Sequence, residues 1–233
     1  MVMRKTMLAV CMLLAIALFA QDSTMIFIEA DRNVSEVLTP AKIYELPEFT
    51  EGKILFRDGN RSTAKLNYNF LNGEIEFISP GNDTLAIAKN QMLNIQEISI
   101  DTQFFVYDHT DGYMELVAKT RLGRLFKKQT YIVIKKEKIG AYNQPSSVSD
   151  IASYGSFTDN YGNLVTSLKI RENITLVLRT SYFIANEFNF LPATKRNMMD
   201  LYRPKRNQVE SYLKKNPVDF KNGRDLIKMF KSF

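Results

Sequence analysis

From Ala64 to Ile78 the side chains alternate in character. Leu66, Tyr68 and Phe70 share one face of an extended chain, Ile75 and Phe77 carry it on, and Asn72 and Gly73 stand between the two runs. A period of two is the mark of a half-buried strand, because successive side chains point to opposite faces. An Asn-Gly pair between two such runs predicts a hairpin with a type I′ turn, since both turn positions need positive φ and these two residues tolerate it best. The expected two-residue loop pairs Leu71 with Glu74 and brings Leu66 near Phe77 across the ladder. A slip of one residue would turn every apolar side chain to the wrong face, so the pattern fixes the register.

The same signal recurs along the chain. A short apolar run at 54–56 opens the β region, and Pro80, Gly81, Asn82 and Asp83 form a turn before a strand at 84–88. Further strands are predicted at 95–100, 104–107, 113–118, 122–126 and 131–134, with Asp101, Asp111, Gly112 and Gly123 as turn residues. Strands resume at 164–170 and 174–184. Between them, residues 140–163 are rich in Ser, Asn, Gly and Tyr and read as a long loop. Strands this close together, without intervening helices, predict antiparallel pairing. The expected fold class is mainly β (α+β): an antiparallel meander, roll, barrel or sandwich over 21–190, followed by a short C-terminal helical segment over 191–233.

That last segment changes period. Thr194 is placed to cap a short helix at 195–201. Pro204 suits the first position of a helix running to about Lys215, where its missing N–H costs nothing. Val209, Tyr212 and Leu213 share one face, and Asn216 and Pro217 end it. A final helix is expected after Asn222, with Leu226, Ile227 and Phe230 on its inner side. These helices are expected to dock on the β body.

The N-terminus has a separate reading. Arg4 and Lys5 precede about 15 apolar residues and then Ala20, Gln21 and Asp22, the three-part layout of a secretory signal peptide. The apolar run is short against the roughly 20 residues of a membrane span. Cleavage is expected after Ala20, or after Ala17. Cys11, the one cysteine, lies in the apolar run; Val10 before it is too large for a lipoprotein signal, so Cys11 leaves with residues 1–20. A mature chain without cysteine has no disulfide, no thiolate metal site and no cysteine nucleophile.

Charge follows the same division. The chain carries +6 in all. Residues 190–233 hold 11 Lys and Arg against 4 acids, a net +7, while residues 21–189 are mildly acidic at −3. Lys205, Arg206, Lys214, Lys215, Arg224, Lys228 and Lys231 are therefore read first as solvated faces of amphipathic helices. An anionic envelope surface or an envelope protein is the alternative partner for the basic tail. Export argues against nucleic acid, and no transmembrane span is expected in the mature chain.

With these residues in view, the chain resembles a set of uncharacterised exported proteins from Bacteroidetes. The resemblance lies in Phe19, Ala20 and Gln21; in Leu66, Asn67, Tyr68 and Asn69; in Lys138, Ile139, Gly140, Ala141 and Tyr142; and in the tail from Leu201 and Tyr202 through Phe220 to Asp225, Leu226 and Ile227. It implies export into the envelope of a Gram-negative bacterium, periplasmic or extracellular, and brings no activity with it.

Residues able to do chemistry are few. His109 is the only histidine. Alone it makes no multi-histidine metal site, and no Gly-x-Ser-x-Gly elbow accompanies it. Asp108 or Asp111 could orient it as a base, but a solvated turn residue is the simpler reading. Asp108, Asp111 and Gly112, and likewise Asp159, Asn160 and Asn163, lack the alternating spacing of a calcium loop and read as turns. Asn33, Asn60, Asn82 and Asn173 head Asn-x-Ser/Thr triplets, which an asparagine-rich bacterial chain contains by chance. Tyr142, Tyr154 and Tyr161, interleaved with small polar residues, are the candidates for contact with a ligand or partner. No cofactor, metal or catalytic residue is assigned. The expected role is a non-enzymatic binding or structural module. The alternatives are a hydrolase of an envelope polymer and an accessory subunit of an outer-membrane assembly.

Overall fold

The structure is a computed structural model describing residues 25–139, 145–146, 172–186 and 189–233. Among these residues twelve strands form one antiparallel sheet. They are β1 (Met25–Ile28), β2 (Thr50–Phe56), β3 (Arg61–Asn69), β4 (Glu74–Ile78), β5 (Thr84–Ala86), β6 (Ile95–Ile100), β7 (Gln103–Asp108), β8 (Gly112–Lys119), β9 (Arg124–Ile139), β10 (Pro145–Ser146), β11 (Glu172–Ala185) and β12 (Phe190–Pro192). The order is β1-β11-β9-β8-β7-β6-β2-β3-β4-β5, with β10 beside β9 and β12 beside β11. The chain is thus mainly β, one large open antiparallel sheet with short helices after it; β2 beside β6 and β1 beside β11 break the sequential order of a simple meander. A single sheet takes the place of the two stacked sheets of a sandwich.

The sheet buries its apolar side by curling on itself. Tyr131 N–H donates to Phe70 O at 2.9 Å, and Tyr68 Oη donates to Gln129 O at 2.9 Å. The β3–β4 hairpin therefore lies over β9. Tyr68 and Phe105 stack across the interior with centroids 5.4 Å apart. Around them Leu66, Ile75, Ile98, Ile100 and Tyr113 form one core. A second core, Ile26, Ile28, Ile174, Leu176 and Tyr131, is covered by helices α1 (Val34–Val37) and α2 (Pro40–Ile43) through Val34, Leu38 and Ile43.

The far end of the same face is covered by α4 (Lys195–Leu201), α5 (Arg206–Lys215) and α6 (Gly223–Phe230). Met198, Met199, Tyr202, Val209, Leu226, Met229 and Phe230 pack with Ala118, Leu125 and Ile184 of the sheet. Thr194 Oγ1 caps α4 through Asn197 N–H at 3.3 Å. Asn222 Oδ1 caps α6 through Arg224 N–H at 2.9 Å. Each satisfies a donor that the first helical turn leaves free. Pro204 lies in a 3-10 turn, Arg203–Lys205, just before α5.

Several expectations need correction. Leu66 does face Phe77, but Asn69 pairs with Glu74, so the hairpin loop has four residues, Phe70 to Gly73, and Leu71 does not pair with Glu74. Gly73 alone takes positive φ, at 69°, and its N–H bonds to Asn69 O at 2.8 Å. The tie from Phe70 O to β9 holds the loop in this wider form. The segments at 122–126 and 131–134 are one strand, β9, whose polar middle stays paired with β11 throughout. Pro145 and Ser146, read as loop, pair with Ile139 and Lys138. Leu191 and Pro192, where the composition changes, lie inside β12 and pair with Ile184 and Phe183. β1, α1, α2 and α3 (Lys89–Met92) were not anticipated. The signal segment, the strand at 164–170 and most of 140–163 fall outside the described residues.

Candidate functional site

α5 turns Val209 into the core and leaves a polar face outside. Asn207, Ser211 and Lys215 follow one another at four-residue spacing, and Gln208, Tyr212 and Asn216 make a second row beside them. Side chains three or four apart are neighbours on a helix, so the six form one surface. Together with Ser232 and Phe233 they line a groove of about 480 Å³, open to solvent. Tyr212 and Phe233 are half-buried and meet edge to face at 5.6 Å. They form its apolar floor, and the exposed Asn207, Gln208, Ser211, Lys215 and Ser232 form its rim. Asn216 Nδ2 donates to Tyr212 O at 3.0 Å, which fixes the amide at the end of the helix. The side chains of the lining offer amides, hydroxyls, two aromatic rings and one ammonium.

Between β8 and β9 a group of charged side chains is paired. Glu115 on β8 faces Lys127 on β9, with Nζ to Oε2 at 2.6 Å. Glu45 lies 3.9 Å from the same ammonium and accepts from Gln103 Nε2 at 3.1 Å. Tyr182 on β11 pairs with Lys127 on β9. Burial raises the pKa of its phenol, and the Lys127 charge works against that rise. This polar seam separates the hairpin core from the core under the tail.

Among the described residues Glu76 is the most deeply buried carboxyl, 1 % exposed. Tyr44 Oη donates to its Oε2 at 2.6 Å and Asn69 Nδ2 to its Oε1 at 2.8 Å. Burial raises its pKa, these two bonds lower it, and the neighbouring Glu74 raises it again. Asn67, also buried, bonds Leu46 N–H at 3.0 Å and Leu46 O at 2.8 Å. These groups bind the 44–48 segment to the hairpin. The Tyr113 hydroxyl is buried without a partner among the described residues.

His109 sits on the β7–β8 turn with 80 % of its side chain exposed. Its Nδ1 is 3.7 Å from Asp108 Oδ2, and its Nε2 is 3.1 Å from Thr110 Oγ1. Asp108 Oδ1 accepts from the N–H groups of Thr110 and Asp111, both at 2.9 Å, which is Asx-turn bonding. Among the described residues no three His, Cys, Asp or Glu gather as a metal site, and no helix is long and apolar enough to cross a membrane. Tyr142, Tyr154 and Tyr161 lie outside the described residues. Of the basic residues singled out in the tail, Lys215 lines the groove. Arg206 pairs with Glu210 at 3.2 Å, and Lys205 Nζ bonds Phe233 O.

The sequence reading passed over Asn207, Gln208 and Ser211. Their signal is an uncharged polar stripe, at four-residue spacing, inside an otherwise basic tail. Comparison with protein families, with curated proteins and with solved structures finds no match.

Proposed function

We propose that the protein is exported to the envelope of a Gram-negative bacterium and acts there as a non-enzymatic binding module. The observation that carries the binding role is the chemistry of the α5 groove: amides, hydroxyls and an ammonium over an aromatic floor, groups suited to hold a ligand. Hydrolysis of a glycosidic polymer ordinarily needs two carboxyl groups flanking the bond. Glu76 is bonded inside the fold, and Glu45 and Glu115 are held at Lys127. Export rests on the basic head, the apolar run and the Ala20–Gln21 junction. Mass spectrometry of the native protein tests it: an N-terminus at or near Gln21 is expected, and a chain retaining Met1 overturns it. Affinity capture from envelope extracts tests binding.

One observation favours a second reading, an accessory subunit of an outer-membrane assembly. β1 ends the sheet order, and on it Met25 is 61 % and Phe27 49 % exposed. Exposed apolar surface on an edge strand suits a protein partner. Recovery of the protein in a large envelope complex, lost on Phe27→Lys, separates this reading from the first.

A further inference from the structure

We propose that the open edge of β11 at residues 178–181 is the docking site of the chain's own residues 21–24; this rests on the export reading, with cleavage after Ala20. β11 has two sides. β9 occupies one of them along the strand, from Glu172 to Ala185. β1 occupies the other from Ile174 to Val177, and β12 takes it up again from Phe183 to Ala185. Ala193 N–H bonds Tyr182 O at 2.8 Å and closes the β12 end. Between the two, among the described residues, no strand pairs with Leu178, Arg179, Thr180 or Ser181 on that side.

The alternation of the backbone says which groups are left there. In an antiparallel ladder a residue turns its N–H and C=O to one side, and the next residue turns them to the other. Tyr182 O points to the β12 side, so Thr180 and Leu178 present their N–H and C=O to that side as well. Both residues are half-buried, where unpaired backbone groups are costly, and an open edge is a template for pairing.

The register of β1 names the occupant. Met25 pairs with Val177 and Ile26 with Leu176. Continued backwards, Thr24 pairs with Leu178, Ser23 with Arg179, Asp22 with Thr180 and Gln21 with Ser181. A chain that starts at Gln21 therefore fills the open positions and stops where β12 begins. Cleavage after Ala17 would set Ala20 and Phe19 against Tyr182 and Phe183, a place that Ala193 and Pro192 already hold. Lengthening an existing strand closes no loop, so residues 21–24 reach this edge at a smaller entropic cost than any distant segment. The chemistry changes in step. Ile26 packs in the core with Leu176, whereas Asp22 falls beside Thr180, whose Oγ1 accepts from Gln129 Nε2 at 3.3 Å. A charged residue on an edge strand also discourages pairing with another chain.

NMR of the chain 21–233, beside a chain 25–233, tests this. In the longer chain Ser23 Hα should lie close to Arg179 Hα, because opposed residues outside the hydrogen-bonded pairs approach to about 4.5 Å between Cα atoms. Its Leu178 and Thr180 amides should exchange slowly with solvent. In the shorter chain they should exchange about tenfold faster or more, the worth of a hydrogen bond, with the Leu176 amide unchanged. Within the longer chain, Thr24→Pro removes a donor that the pairing uses and should release the Leu178 amide, while Ser23→Pro removes an N–H that faces solvent and should not. Absence of the Ser23–Arg179 contact, or equal exchange at Leu178 and Thr180 in the two chains, overturns the inference. A native N-terminus at Leu18 also overturns it and leaves export standing. A native chain that retains Met1 overturns both.

Discussion

Tyr44 Oη and Glu76 Oε2 lie 2.6 Å apart, one of two hydrogen bonds that hold a buried carboxyl beneath the segment before β2. Burial raises the Glu76 pKa above its ordinary 4.5, against the pull of Tyr44 and Asn69. The folded chain thus holds this proton more tightly than the unfolded one. Its contribution to stability is complete below about 4.5 and is lost as pH rises through the folded-state pKa. Glu76→Gln should flatten that part of the pH profile; Glu74, also raised by burial, keeps its own share. Tyr44→Phe removes one of the lowering bonds, so the fall should move to higher pH, with a loss of about 1–3 kcal/mol near neutrality. Urea unfolding across the acidic range measures both, and an unchanged profile for Glu76→Gln counts against the assignment.

Gly73 is constrained twice. Its φ is 69°, and a Cβ there would stand 2.6 Å from Thr130 Cγ2 on the facing strand. Gly59 has φ 88° with open space around it. Gly59→Ala should therefore cost only the backbone strain, about 1–2 kcal/mol. Gly73→Val should cost clearly more, because strain and collision add. Equal losses in thermal melts would mean that the hairpin does not press on β9.

The contrast between these two glycines shows what the sequence could and could not reveal. Alternation from Leu66 to Phe77 made the hairpin legible, because a half-buried strand must repeat every two residues. The width of its loop was hidden, since it depends on the bond from Tyr131 N–H to Phe70 O, sixty-one residues away in sequence. The continuity of β9 is hidden in the sequence because Lys127 and Gln129 resemble solvent-facing residues. Inside the curl Lys127 meets Glu115 and Glu45, and no local pattern announces that. Asn67, Asn69 and Glu76 occupy the polar phase of the alternation and are buried all the same, because residues 44–48 cover them. The capped tail helices were legible from Thr194, Asn216, Pro217 and Asn222. The groove needed Tyr212 and Phe233 brought together by the fold.

His109 offers a test of the hydrolase alternative. Its side chain is 80 % exposed and its neighbours are Asp108 and Thr110. His109→Ala should change stability by no more than about 0.5 kcal/mol, as surface substitutions do. Any hydrolytic activity found in the purified protein should stay within about tenfold, whereas loss of a general base costs about 10²–10⁴. A thousandfold loss with the melting temperature unchanged would make His109 catalytic and displace the binding module.

The tail separates two forces. α5 and α6 are short, and helices of this length are marginal alone in water. Their apolar side meets the sheet: Phe230 is fully buried, its ring 5.7 Å from that of Tyr202, and Tyr202 Oη donates to Phe230 O at 3.1 Å. At the start of α6, a Cβ on Gly223 would collide with the Tyr182 hydroxyl of β11. The cations of α6 are on the outer side, with Lys228 and Lys231 exposed. Exposed charges are screened by salt and worth little singly. A large aromatic removed from a packed core costs about 3–5 kcal/mol, a large share of the roughly 5–15 kcal/mol that holds a domain together. Phe230→Ala should therefore lower the urea midpoint sharply, and equally at low and high salt. Lys228→Ala and Lys231→Ala should leave it nearly unchanged. Truncation after Pro192 should behave like Phe230→Ala and more, since it uncovers Ala118, Leu125 and Ile184 together. If the truncated chain melts as the intact one does, and the tail alone turns helical on anionic vesicles, the apolar face belongs to a membrane surface and not to the sheet.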